Sequence, residues 1–382
     1  MIYLDNSATT RCSEQAFLKM KEALLDNFGN PSSLHNFGMK GEEYVKEARS
    51  IIASTLKCQD KEVYFISGGT EGNNLAIKGA AFAKKRLGNH IITTQIEHAS
   101  VKNVMKDLEK EGFDITYLGT DEYGVVKLDD FKAALREDTI LVSVMMVNNE
   151  IGAVQPIEEI GKLVKENNPQ TVFHVDAIQA YGKYKIYPKK LNIDILTVSG
   201  HKIHGPKGSG FIFIKDKVRV IPQILGGGQE LAMRSGTENV PAIAGLGVAA
   251  REAYDNFDSN IEQLYFLRNR LIEGLKSIDK VSMNGHLDDT NAPHILSVSI
   301  NSKLARSEVI LHALEDEYGI CVSAGSACSS NKPAISSTLL SINLDKDLLE
   351  HTVRFSLCPE NTAEEIDIAI DAMKTLVKRF AI

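Results

Sequence analysis

Asp194-Ile195-Leu196-Thr197-Val198-Ser199-Gly200-His201-Lys202 is the stretch on which the reading of this chain turns. Ile195 to Val198 form a short apolar run of the kind found in strands buried on both faces. The run ends in a hydroxyl, an imidazole and a lysine, and a glycine-rich stretch from His204 to Gly210 follows. Open α/β sheets bind ligands at the carboxyl ends of their strands, so a lysine there is well placed for chemistry. Held deprotonated, it can form a Schiff base with an aldehyde cofactor, while Ser199 and His201 suit a cofactor phosphate. Taken alone, such a turn is more often a surface feature. The rest of the chain changes that balance.

Upstream, Phe173-His174-Val175-Asp176-Ala177-Ile178-Gln179 reads as a second buried strand with a polar carboxyl end. Pyridoxal phosphate needs a carboxylate against its pyridinium nitrogen, because the protonated ring is the electron sink. Asp176 and Lys202, on two strands of one sheet, would supply both functions. A lone aspartate at a strand end is usually a helix cap, so the pair carries more weight than either residue.

Between about residues 60 and 215 strand-like and helical runs alternate. Strands are expected at 62–66, 90–94, 115–118 and 139–147, and helices at 75–86 and 101–111. That alternation predicts an α/β fold with a mainly parallel sheet covered on both faces. After about residue 255 the texture changes to a long amphipathic helix at 261–275, strands such as Ile295–Ile300, and a terminal helix at 364–380. The expected division is a large cofactor-binding domain over 15–255 and a smaller α/β domain made of 1–14 and 256–382.

Other expected strand ends also carry polar groups. Ser67-Gly68-Gly69-Thr70 separates a strand from a helix, where glycine backbone and a helix N-terminus favour an anion. The motif is neither a Walker A loop nor GxGxxG. Glu97-His98 follows the 90–94 strand, and the His98 imidazole could stack on a flat ring. Asn149 follows the 139–147 strand and could bind a ring hydroxyl or a substrate carboxylate. Five polar strand ends are hard to ascribe to coincidence, and together they ask for a phosphorylated aromatic cofactor held by a lysine. Ser323-Ala324-Gly325-Ser326-Ala327-Cys328-Ser329-Ser330 is built of small residues, which predicts a mobile loop with an exposed thiol. Arg354 lies on a strand-like run and could clamp a carboxylate.

Composition narrows the class. The chain has 382 residues and a net charge of −7, which argues against direct nucleic-acid binding. Its first residues show no secretory signal pattern, and no apolar run is long enough to cross a bilayer. Five cysteines without CxxC pairs give neither a disulfide framework nor a zinc signature, so no metal is expected and a reducing cytoplasm is.

With these residues in view, the chain resembles the NifS/IscS class of cysteine desulfurases. The resemblance runs through Tyr3–Thr10, Phe28–Ser33, Ser67–Glu71, Glu97-His98, Val147–Gly152, His174–Asp176, Ser199–Lys202, Arg234–Thr237 and Gly325–Cys328. It implies the aspartate-aminotransferase type of pyridoxal-phosphate fold and a homodimer with sites near the subunit interface. It further implies that Lys202 is the Schiff-base lysine, Asp176 the pyridinium partner, Gln179 the ring-hydroxyl partner and His98 the stacking residue. Gly69, Thr70, Ser199 and His201 would hold the phosphate, with Thr237 reaching in from the other subunit. Asn149 and Arg354 would hold the carboxylate of L-cysteine, and Cys328 would take its sulfur as a persulfide, leaving L-alanine.

The chain stops at Ile382, just past its last expected helix, where housekeeping members continue into a tail that helps dock an iron–sulfur scaffold. The stretches Ser326–Lys332 and Arg354–Thr362 resemble short Firmicute-type members that feed a tRNA 4-thiouridine sulfurtransferase. That acceptor is therefore expected ahead of an iron–sulfur scaffold. Cys321 is expected to be a buried cysteine rather than one that resolves a Cys328 persulfide, and Cys358 is expected to be structural. The competing readings are a selenocysteine lyase, an aminotransferase, and a non-catalytic sulfur-carrier scaffold. The Cys328 loop weighs against an aminotransferase, and the Lys202–Asp176 pair weighs against a scaffold.

Overall fold

The expected strands between residues 60 and 200 belong to one seven-stranded sheet. A computed structural model describes residues 1–302, 304, 306–324 and 336–380. In spatial order the strands are Val63–Ile66, Gly210–Ile214, Ile195–Ser199, Val172–Asp176, Thr139–Met145, His90–Thr94 and Asp114–Leu118. Only Gly210–Ile214 is antiparallel to its neighbours. The sequence pattern does not predict that strand, because the glycines before it read as loop; the uninterrupted apolar run Phe211–Ile214 is the signal that could have found it.

Alternation along the strands explains why the sheet is covered twice. Leu196, Val198, Phe211 and Phe213 enter one apolar cluster, while Ile195, Ile212 and Ile214 enter another on the opposite face. The first cluster is completed by helices Asn36–Leu56, Ile157–Asn167 and Val240–Asp255, the second by helices Gly69–Lys84 and Ala99–Lys110. Each large apolar side chain so buried contributes about 1.5–3 kcal/mol, which fixes the register of every strand. All parallel strands therefore deliver their carboxyl ends to one edge.

A second, antiparallel sheet has the order Ser323–Ala324, Thr352–Ser356, Ile295–Ile300, Val281–Asn284. The strand Ile295–Ile300 lies where the sequence puts it, but it is buried on both faces. Leu296, Val298 and Ile300 join an apolar cluster with helices Phe257–Lys276 and Ala363–Phe380. On the other face the Asn284 amide donates to Ser297 Oγ (3.0 Å) and Ser299 Oγ (2.9 Å), so hydroxyls are buried with partners. Leu4 belongs to this same cluster, and Ile2–Tyr3 pairs in parallel with Ile320–Cys321. Among the described residues no helix is long and apolar enough to cross a membrane.

Candidate functional site

A cavity of about 370 Å³ opens at the carboxyl edge of the large sheet. Its lining includes Gly69, Thr70, His98, Asn149, Asp176, Gln179, Ser199, His201, Lys202 and Arg354, residues drawn from five strand ends and from the second sheet. Thr237 is not among them; it sits exposed on the loop before helix Val240–Asp255 of the same chain. Cys328 lies outside the described residues.

Lys202 closes a single 3₁₀ turn, Gly200–Lys202, directly after strand Ile195–Ser199. Its amine donates to the Ser7 carbonyl and, at 2.7 Å, to the Ala8 carbonyl. These two acceptors come from the N-terminal segment, whose motif is visible in the sequence without a role attached. Asp176 ends strand Val172–Asp176 and is buried. Its Oδ1 accepts from the Ile178 N–H (3.0 Å) and its Oδ2 from the Asn73 amide (2.8 Å). Burial pushes its carboxyl above the usual range, against the opposing pull of those two donors and of His98 and Lys202. Asn73 also donates to Ser100 Oγ at 2.9 Å, tying two helices to the strand end. Sequence reasoning missed Asn73; its spacing of four from Gly69 on one helix face was the signal.

The helix expected at 75–86 begins earlier, at Gly69, inside the Ser67–Thr70 turn. Gly68 has φ of +149°, a conformation that side chains other than glycine resist. A Cβ on Gly69 would stand 2.2 Å from Ile178 Cδ1. The glycine pair thus lets the helix N-terminus approach the strand end that bears Asp176. Ser199 and His201 line the same cavity, and burial, followed by the charges of Lys202 and Lys207, pushes His201 down to about 4. The imidazole is neutral near pH 7.

His98 caps helix Ala99–Lys110, its Nδ1 accepting from the Ser100 N–H at 3.1 Å, which fixes the ring plane. The Gln179 amide donates to the Ser7 carbonyl (3.0 Å), and its Oε1 lies 3.4 Å from His294 Nε2. Beside the strand end, Glu97 is fully buried; burial pushes its carboxyl up to about 8, although Oε1 accepts from the Met145 N–H and the Thr94 hydroxyl, both at 2.8 Å.

At the far wall Arg354, on strand Thr352–Ser356, is buried. Its Nη1 donates to the Asn149 carbonyl (2.8 Å) and its Nη2 to Asp5 Oδ1 (2.7 Å). Its Nε has no partner among the described residues. The guanidinium is therefore oriented by an internal ion pair rather than spent on a surface one, and Asn149 engages it through backbone. Cys321 is partly exposed where burial was expected, because its short strand lies at the edge beside Tyr3. Cys358 accepts from or donates to nothing in the cavity; its thiol faces Asn361 Oδ1 at 3.5 Å, and burial pushes it up to about 12.

The aminotransferase class-V family model matches residues 2–368. The chain belongs to the aminotransferase class-V family. It is 42% identical over 378 residues to a protein named cysteine desulfurase IscS from Methanosarcina thermophila, covering 99% of this chain and 92% of that one. It is 44% identical over 383 residues to the cysteine desulfurase IscS of Salmonella schwarzengrund, covering 99% and 93%. A solved NifS-like protein superposes with a TM-score of 0.93 at 35% identity, over 99% of this chain and all of that one. This class-V chain is thus a full-length homologue of the cysteine desulfurases, which depend on pyridoxal phosphate.

The cavity of this class-V chain suits that cofactor on its own chemistry. Asp176 bears a charge that is costly to bury, so a cation such as a pyridinium set against it is favoured. The glycine-lined helix N-terminus, with Ser199 and His201 beside it, offers donors to a phosphate. Lys202 presents an amine to the space between them, and Arg354 lines the same space with a guanidinium suited to a carboxylate.

Proposed function

We propose that the cavity converts L-cysteine to L-alanine and passes the sulfur on as a persulfide of Cys328. The carrying observation is that Lys202, Asp176 and Arg354 line one cavity, with the amine, the buried acid and the carboxylate clamp reaching it from separate strands. Pyridoxal phosphate, when bound, supplies an electron sink for the bonds broken at the substrate. Lys202 would hold the cofactor and serve as the base for the substrate Cα proton. With the cofactor bound, Asp176 would keep the ring nitrogen protonated, Gln179 would serve the ring hydroxyl and His98 would stack on the ring. Gly69, Thr70, Ser199 and His201 hold the phosphate, and Arg354, oriented by Asp5 and Asn149, holds the substrate carboxylate.

Cys328 as thiolate attacks the substrate sulfur, so that an S–S bond forms as the C–S bond breaks. Protonation of the three-carbon remainder gives L-alanine. In sum, L-cysteine and the Cys328 thiol become L-alanine and the Cys328 persulfide, with no outside oxidant. Cys328→Ser tests the assignment: it should bind cofactor and exchange the Cα proton, yet neither carry persulfide by protein mass spectrometry nor release alanine at the normal rate. Persulfide on another cysteine at the wild-type rate would remove Cys328 from the role, and amino transfer to a keto acid would favour the aminotransferase reading.

The working unit is a homodimer in which Thr237 of one chain completes the phosphate site of the other. Exposed Phe17, Leu24 and Leu25 on helix Glu14–Leu25, Phe28 after it and Phe37 at the start of helix Asn36–Leu56 support an apolar interface there. The division into domains at 15–255 and 1–14 with 256–382 is supported by the seven-stranded and four-stranded sheets, which fall on either side of it. The acceptor is a tRNA 4-thiouridine sulfurtransferase in the cytoplasm, supported by the resemblance of Ser326–Lys332 and Arg354–Thr362 to short Firmicute-type members. Side-by-side persulfide transfer to that acceptor and to an iron–sulfur scaffold decides the point, and faster transfer to the scaffold reverses it.

A further inference from the structure

A second lysine reaches Lys202 from behind. Lys183 follows the turn after strand Val172–Asp176, and its ammonium donates to the Lys202 main-chain carbonyl at 2.6 Å. It lines a separate cavity of about 380 Å³, together with His204, Glu252 and Glu360. The Lys202 side chain points the other way, to the carbonyls of Ser7 and Ala8. Those carbonyls favour a charged Lys202 amine, whereas a lysine that must capture an aldehyde or take a proton has to be uncharged. A second cation nearby is one way to oppose them.

Resting on the reading of Lys202 as the cofactor lysine, we propose that Lys183 is a positioning residue for it: the Lys183 ammonium fixes the Lys202 main chain through its carbonyl and, as a neighbouring positive charge, disfavours a second charge on the Lys202 amine. The groups facing Lys183 support this. Burial first, then the Lys202 charge, pushes Lys183 down to about 8, while Cys358 and Glu360, from the turn after strand Thr352–Ser356, pull the other way. Cys358 is held as a thiol by burial. His294 is buried and held neutral, with Lys183 among the charges that push it down. His204 is likewise pushed down by burial, with Glu360, Lys183 and Glu252 around it. The acids facing this cluster are Glu360, whose side chain is 68% exposed, and Glu252. On its other side the Lys202 amine shares its cavity with Asp176, whose negative charge favours the charged amine, and with His98, His201 and Arg354; the Lys183 charge opposes the pull of Asp176.

The test uses full-length protein stripped of cofactor and measures how fast it captures pyridoxal phosphate, by growth of the visible absorbance band, from pH 6 to 10. Only an uncharged amine captures the aldehyde, so the midpoint reports Lys202. Lys183→Gln keeps a donor for the carbonyl but loses the charge, and its midpoint should rise by about one pH unit. Lys183→Arg keeps both at every pH, so its midpoint should not rise and should lie at or below that of wild type. The wild-type curve should also be shallower than a single-proton curve, because Lys183 titrates in the same range, and Lys183→Arg should restore single-proton steepness. An unmoved midpoint in Lys183→Gln, or one raised as far in Lys183→Arg, overturns the proposal. Should the Gln variant fail to fold, equal steepness in wild type and Lys183→Arg overturns it. Lys202→Ala is the separating control. Capture at the wild-type rate in that variant defeats the reading of Lys202; loss of capture there, with an unmoved Lys183→Gln midpoint, defeats only this inference.

Discussion

The cavities in front of and behind Lys202 have nearly equal volumes, about 370 and 380 Å³. They differ in what converges on them. The front one sits where parallel strands end, so main-chain groups, a helix N-terminus, a buried acid and an oriented arginine face one space. The rear one is a gap between helix Val240–Asp255, helix Phe257–Lys276 and the turn holding Pro359 and Glu360. Its polar side chains come from helix surfaces and from loop positions beyond the strand ends, Lys183, His204 and Glu360, and no strand-end residue itself lines it. Size therefore does not mark a site; the direction that the sheet gives to its side chains does.

That contrast can be broken by substitution. The largest effect is expected from Lys202→Ala, which should lower alanine release by about 10³-fold or more and abolish the visible band of bound cofactor. Normal turnover in this variant would erase the difference between the cavities. Asp176→Asn keeps the shape and the Ile178 contact but removes the charge; a loss of about 10²-fold in kcat is expected, with slower Cα-proton exchange into deuterated solvent. Full activity would mean that another acid serves the ring. Arg354→Lys keeps charge without the planar fork, so KM for cysteine should rise about ten-fold while kcat changes little. Wild-type kinetics would make Arg354 a structural partner of Asp5 alone.

Glu97 sharpens the comparison through pH. Its folded value of about 8 lies above the ordinary 4.5. The stabilisation from its bound proton is thus full below about 4.5 and is lost as pH rises through about 8. Glu97→Gln has no such loss, so its melting temperature should gain on wild type between pH 5 and 9. A difference that stays flat across that range would show that Glu97 does not hold its proton when folded. The smallest effect is expected behind Lys202: Asn260→Ala, in the rear cavity, should change activity by less than about two-fold. A ten-fold loss would mean that the rear cavity is part of the working site.

Much of the fold and of the front cavity is legible in the sequence. Apolar runs of four to seven residues ending in polar groups mark six strands of the large sheet, because a strand buried on both faces writes its burial into consecutive residues. Gly210–Ile214 escapes because glycine masks its start. The helix start at Gly69 comes two residues into the expected turn, since only the contact with Ile178 shows why glycine is needed there. Cys321 departs from its expected burial because edge exposure depends on which strand lies alongside.

The sequence by itself determined which side chains stand at the ends of the strands: Asp176, Ser199 and Lys202 are placed by the local pattern of their own strands, and Gly69, Thr70, His98 and Asn149 by the strands before them. Only the tertiary structure decided what meets them. Ser7 reaches Lys202 across 195 positions and Asp5 reaches Arg354 across 349, while Lys183 finds the Lys202 carbonyl from the turn beyond a neighbouring strand. Such contacts leave no periodic trace, because they depend on how two sheets and an N-terminal segment pack, and packing is set by the shapes of buried surfaces rather than by spacing along the chain.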